Sequence, residues 1–169
     1  MKQDPENYWE QIERLEVLIK GAELKAGLIF SFHSVVLGLF FDRFDEIKAV
    51  FFENTLNTVL LGIWILFVVI SGFYSIQCFI PRINLKYDKN VFFFGDAVNK
   101  FENVKAFTKE FMAVCGDKER LFQQLSEQVH VESRVTNYKF KCVKRSVRYL
   151  AISLVAIIPV IVIGLINMG

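Results

Sequence analysis

Three long apolar stretches, Ala26–Phe41, Val59–Ile80 and Tyr149–Met168, constrain this chain more than any other feature. A helix needs about 20 mostly apolar residues to cross a bilayer core. The 68 residues between the second and third stretches are mostly polar and turn basic towards their end. The pattern predicts an integral membrane protein with one compact domain on one side of the membrane. Hydrophobic residues make up 53% of the chain, above the 45–50% or so of a soluble domain, and the excess sits in the three stretches. Net charge is only +2, so no overall field points to nucleic acid. The first 25 residues carry six acids and four bases. They have no short apolar core or cleavage site, and no signal peptide is expected.

Charge near the spans predicts their orientation. The connection Asp42–Asn54 holds four acids and two bases, whereas Arg82–Arg148 holds fourteen bases and eight acids. Lys139, Lys141, Lys144, Arg145 and Arg148 crowd before the third span. The expected topology places the N-terminus and residues 81–148 in the cytoplasm and Gly169 outside. The basic run also suits contact with anionic lipid.

Asp4-Pro5-Glu6 is a helix start: an N-cap acceptor, a first-turn proline, then an acid at the positive end of the dipole. Tyr8, Ile12, Leu15, Ile19, Ala22 and Ala26 follow at coiled-coil spacing. One helix is therefore expected from about Pro5 to about Phe41, its first half a cytoplasmic stalk. Gly27, Ser31, Ser34 and Gly38 continue the rhythm as a stripe of small residues. Such a stripe suits either packing against the other spans or self-association. His33 lies beside it, either hydrogen-bonded to a neighbouring helix or functional. Phe44, Ile47, Val50, Phe51 and Phe52 give the outer connection an interfacial amphipathic character. Pro81-Arg82 ends the second span, and Ile83–Asn90 reads as a loop.

Val91 to Phe94 either packs under the stalk or dips into the interface. Gly95 or Asp96 then opens a helix with Phe94, Ala97, Val98, Phe101, Val104, Phe107 and Phe111 on its core face. Cys115-Gly116-Asp117 is expected to end it, with Gly as the stop. A last helix starts near Lys118 and carries Val131, Val135, Tyr138, Cys142 and Tyr149 at seam spacing into the third span. Pro159 predicts a kink there.

The fold class expected is therefore an all-α membrane protein. Its three transmembrane helices include a first and third extended into the cytoplasm as stalks, which join a small cytoplasmic helical bundle. The segments are a stalk over 1–25, the first two spans over 26–80, the cytoplasmic region over 81–148 and the third span over 149–169. Cys78, Cys115 and Cys142 form no Cys-x-x-Cys pair and read as small apolar filler. His33 and His130 fall in different compartments, so no metal cluster is expected. No phosphate loop or nucleophile elbow is present, and neither enzyme activity nor a bound cofactor is expected. His130, Arg134, Asn137 and Lys141 share a helix face at spacings of four, three and four. That face suits an anionic ligand or simple solvation. Lys25 and Arg82 stand at the expected membrane boundary as candidate coupling residues.

At these residues a resemblance enters. Ala22-Glu23-Leu24-Lys25-Ala26 resembles the Ala-Asp-x-Lys-Ala lead-in of Pycsar-type transmembrane effector domains. Pro81-Arg82, and then the segment from Asn90 to Ala97, is similar to that family's Pro-Arg and Asn-x-x-Phe-Phe-Gly motifs. Gln128–Lys139, with Ser133 and Tyr138-Lys139, is similar too. The likeness covers nearly the whole chain in order. It implies bacterial antiviral defence, in which a partner cyclase makes a cyclic nucleotide during infection and the effector impairs the inner membrane to stop growth. Some family members carry a separate cyclic-nucleotide-binding domain, for which this chain has no length left. The signal would then bind the cytoplasmic bundle or arrive through a partner protein. The expected partners are the bilayer, further copies of the chain, and a cyclic-nucleotide synthase or sensor of the same system. A membrane anchor that recruits a cytosolic partner and a small constitutive channel are the alternatives.

Overall fold

The structure, a computed structural model, describes residues 4–45, 48, 52, 54–80 and 89–168. Five main helices carry the chain: α1 (Pro5–Asp42), α2 (Thr55–Phe79), α3 (Phe94–Asn99), α4 (Val104–Gly116) and α5 (Lys118–Met168). No strand occurs among the described residues. α1, α2 and α5 are each long and apolar enough to cross a membrane. The protein is thus all-α, with three membrane-spanning helices, and α1 and α5 run well beyond their apolar stretches.

The helix ends follow local chemistry. Asp4 Oδ1 accepts from the Glu6 amide at 3.1 Å, and Asn54 caps α2 by accepting from Leu56 N at 3.0 Å. Asp117 adopts extended backbone, which ends α4, and its carboxylate accepts from Glu119 N at 3.0 Å to begin α5. The stop at Gly116 thus falls where the sequence predicts, but not through a left-handed glycine: no positive φ occurs among the described residues. α5 is helical through Pro159.

The chain forms two compact units. The first comprises Met1–Lys20 and Arg82–Asn137, the second Gly21–Pro81 and Tyr138–Gly169. In the first, Ile12, Leu15, Val91, Phe93, Val114, Leu125 and Val131 are buried. Tyr8 lies 5.6 Å from Phe122 and Trp9 5.4 Å from Phe92, ring centre to ring centre. Val91 and Phe93 therefore pack inside this unit, while Phe94 remains 77% exposed.

One expectation fails here. The single helix predicted from Gly95 or Asp96 to the stop at Cys115-Gly116-Asp117 is two helices, broken at Lys100–Asn103. Asn103 is the cause. Its side chain accepts from Ala106 N at 2.9 Å, and an N-cap asparagine has non-helical backbone. The break removes the common core face: Phe101 and Phe107 are half-buried, but Phe94, Val98 and Val104 are exposed.

The second unit holds two apolar clusters. Ala22, Ala26, Cys78, Cys142 and Val143 form one, with Tyr138 against it. Leu61, Trp64, Val68 and Val160 form the other. Tyr149 stacks on Phe67 and Tyr74 at 6.2 and 5.7 Å, and the Arg145 guanidinium lies 5.4 Å from the Tyr74 ring centre. Phe44 meets Phe40 and Phe52, each at 6.1 Å; Ile47, Val50 and Phe51 lie outside the described residues.

Candidate functional site

Two polar constellations stand out, one in each unit. In the first unit, Asn90 organises the approach to α3. Its amide N–H donates to Asp96 Oδ2 at 2.9 Å, and its side-chain nitrogen donates to Gln124 O and Glu127 Oε2 at 2.8 and 3.2 Å. Its side-chain oxygen accepts from Phe92 N at 2.9 Å. Gln124 Oε1 accepts from Val91 N, also at 2.9 Å. Asp96 is buried and also binds Lys100 Nζ at 3.2 Å. Gly95 fits tightly here: a Cβ on it would sit 2.8 Å from the buried Phe93 ring.

Beside this corner lies a cleft of about 280 Å³, lined by Lys89, Glu110, Arg120, Gln123, Gln124 and Glu127. Arg120 Nη2 pairs with Glu110 Oε1 at 2.6 Å, and Lys89 Nζ sits 4.3 Å from the Phe101 ring centre. Two cations, two carboxylates and two carboxamides give the cleft both signs of charge and both senses of hydrogen bond. Such a wall suits a small polar ligand that carries an anionic group. Elsewhere in this unit, burial pushes the Glu132 carboxyl above its ordinary range, and neighbouring Glu16 adds to the shift.

In the second unit, polar side chains line the inside of the three-helix packing. Lys139 is buried, and its ammonium donates to Glu23 Oε1 at 2.5 Å and to Cys78 O at 2.8 Å. His33 Nε2 lies 2.8 Å from Ser71 Oγ. Ser71 Oγ donates to Ser146 O at 2.8 Å, and Ser146 Oγ donates to Ser71 O at 3.0 Å. Ser75 Oγ lies 2.7 Å from Ser146 Oγ. Asn57 is fully buried, and neither polar atom of its side chain has a partner among the described residues.

The residues singled out from sequence fall elsewhere. His130, Arg134, Asn137 and Lys141 are all exposed on α5, and none lines the cleft. Lys25 is exposed, while Glu23, two residues earlier, pairs with the buried Lys139. Arg82 lies outside the described residues. On α1, Gly27 is half-buried and 3.7 Å from the Phe79 ring, as measured from a Cβ built on it. Ser31, Ser34 and Gly38 are exposed, and Ser34 Oγ bonds back to Phe30 O at 3.0 Å. Intramolecular packing thus accounts for Gly27 but not for those three. His33 does bond a neighbouring helix.

Sequence reasoning missed Ser71, Ser75, Ser146 and Asn57, and it read Lys139 as a topology or lipid-contact charge and as part of the family-like Tyr138-Lys139 pair, not as a buried ion-pair partner. A signal existed for α2: Asn57, Ser71 and Ser75 share the stripe of Leu61, Trp64 and Val68 at spacings of four and three. The cleft had none, because its residues come from three distant segments.

Residues 7–166 match a family model, that of the Pycsar effector protein domain. No curated protein and no solved structure matches the chain. With nearly the whole length matched and three membrane-spanning helices in place, the chain belongs to the Pycsar effector family and is a multi-pass membrane effector of phage defence.

Proposed function

We propose that this effector responds to a cyclic-nucleotide signal by rearranging its helices and impairing the inner membrane, which stops growth. One observation carries the reading: α1 and α5 each pass without a break from the first unit into the second. A change in helix packing in one unit is then covalently continuous with the other along these two helices, with no flexible linker within either to absorb it. The cleft is the better candidate for the signal than the exposed face of His130, Arg134, Asn137 and Lys141. Lys89 and Arg120 supply phosphate partners, and Gln123, Gln124 and Glu127 can read a base edge. A synthase of the same system would supply the nucleotide, directly or through a sensor.

The exposed Ser31, Ser34 and Gly38 support self-association of α1 in the membrane. The basic excess of 82–148 supports a cytoplasmic placement for that segment and the N-terminus, with the C-terminus outside. The experiment is expression in bacteria with and without a cyclic-nucleotide synthase, followed with a voltage-sensitive dye. Depolarisation only with an active synthase is the expected result. An unchanged potential and unchanged growth would sink the reading.

A second reading, an anchor that recruits a cytosolic partner, draws on Phe94, Val98 and Val104, which are 77%, 74% and 79% exposed. A stoichiometric partner in a pull-down, with no depolarisation, would favour it.

A further inference from the structure

In the first unit, α1 and α5 set two carboxylates against each other. Tyr8 of α1 rests on Phe122 of α5 at 5.6 Å. Further along the same two helices, Glu23 pairs with Lys139, 116 residues away in the chain. One heptad earlier on each helix, where the same faces meet again, stand Glu16 and Glu132. The same offset sets Ile12 beside Gln128 and Leu15 beside Val131, and all four are buried. A like-charged pair thus occupies the place that an ion pair takes in the next heptad. Burial raises the Glu132 carboxyl, and Glu16 raises it further, as one carboxylate does to another nearby.

A carboxamide completes the group. Gln128 stands one turn before Glu132 and is only 8% exposed. Its side-chain nitrogen donates to Glu132 Oε1 at 3.2 Å, which holds the amide against that carboxylate. Its Oε1 is buried and has no hydrogen-bond partner among the described residues. Buried polar atoms are almost always satisfied. The hydroxyl of Thr136, one turn on, is spent on the Glu132 backbone carbonyl at 2.7 Å. Lys20 reaches Glu16 only at 3.9 Å, with both side chains exposed, and such a pair contributes little.

We infer that Glu16, Gln128 and Glu132 form a site for a hard divalent cation that clamps α1 to α5. Two carboxylates match the charge of the ion, and the amide oxygen is the third ligand. All three donors are oxygens, the ligands that magnesium and calcium prefer. Both ions fill their remaining positions with water, which suits a site whose Glu16 side opens to solvent. The bound ion turns repulsion between the helices into a bridge and satisfies the buried Gln128 oxygen. The site shares no residue with the cleft, so it stands or falls apart from the cyclic-nucleotide reading.

The test uses the full chain in detergent, stripped with EDTA and then titrated separately with magnesium and calcium chloride. Saturation by either ion is expected to raise the melting temperature by about 5 °C, whereas sodium chloride of equal ionic strength is not. Glu132→Gln relieves the buried charge and should melt higher than the wild type in EDTA, which shows that it folds, yet it should lose the divalent shift. Glu16→Gln should lose the shift too. Gln128→Leu keeps both carboxylates and should raise the half-saturating concentration about ten-fold. Manganese, which suits the same oxygen donors, reads occupancy directly. Electron paramagnetic resonance of the free ion should show one manganese bound per wild-type chain and loss of that binding in Glu132→Gln.

No shift with either ion overturns the site and leaves the two carboxylates to share a proton. A shift that sodium matches overturns it as well, since screening then accounts for the effect. So does a shift that survives in both Glu16→Gln and Glu132→Gln, which would place the ion elsewhere.

Discussion

Lys139 and Glu23 form an unequal pair, and the inequality decides what each substitution does. The Lys139 side chain is only 4% exposed, whereas that of Glu23 is 36% exposed. Removing one partner of a buried pair leaves the other charge uncompensated, at a cost of about 3–5 kcal/mol. Glu23→Ala strands a buried ammonium on the Cys78 carbonyl alone and is expected to cost about 3 kcal/mol. Lys139→Met leaves a carboxylate that water can reach and should cost about 1 kcal/mol. Thermal melts in detergent check the order; a Lys139→Met more damaging than Glu23→Ala would refute it. Glu132 gives a pH signature with the opposite sign to most carboxylates. Its folded pKa is raised by burial and by Glu16, so the folded state binds the proton more tightly than the unfolded chain. That stability is fully present below the ordinary carboxylate range and is lost as pH rises through the folded pKa. Glu132→Gln should therefore raise the melting temperature at neutral pH and flatten its fall from mildly acidic to neutral pH. An unchanged pH profile would count against the burial argument.

At the scale of the element, α2 carries an apparent defect in its buried stripe. The Asn57 amide, unpartnered among the described residues, costs roughly 1–3 kcal/mol by the usual penalty for a buried unsatisfied group. Asn57→Val should recover part of that and raise the melting temperature. Lower stability in Asn57→Val would mean that the amide has a partner after all. Long elements were legible in the sequence because their signals were long. The seam from Tyr8 to Ala26 and the seam from Val131 to Tyr149 each spanned many turns, and α1 and α5 run where those seams predict. The break between α3 and α4 was not legible, because one capping asparagine, Asn103, outweighs a good apolar periodicity. Asn103→Ala should cost about 1 kcal/mol in helix stability, read as reduced protection of α4 amides in hydrogen exchange. The candidate cleft was illegible for a different reason. Lys89, Glu110 and Arg120 look like ordinary surface charges until folding brings three segments together. Ser71, Ser75 and Ser146 were missed because periodicity places a side chain on a face without naming the group it will meet on another helix.

At the scale of the molecule, the continuity of α1 and α5 makes a prediction about phase. Both helices cross the unit boundary, α1 between Lys20 and Gly21 and α5 between Asn137 and Tyr138. If helix motion carries the signal, what matters is the rotational register of the two helices and their stiffness at that point. Seven helix-forming residues add almost two whole turns and change the phase by only about 20°. Inserted at both crossings, they should preserve depolarisation by an active synthase. Four glycines at both crossings supply a flexible joint and should abolish the response, while each unit keeps its own fold and the protein still reaches the membrane. A single inserted residue rotates a helix by about 100° and, placed in α5 alone, should disturb the resting state, seen as depolarisation or growth arrest without the synthase. Membrane potential with and without the synthase reads all three. A response that survives the four glycines would show that the helices are not the transmitters, and the signal would then have to reach the spans by a direct contact or through a second copy.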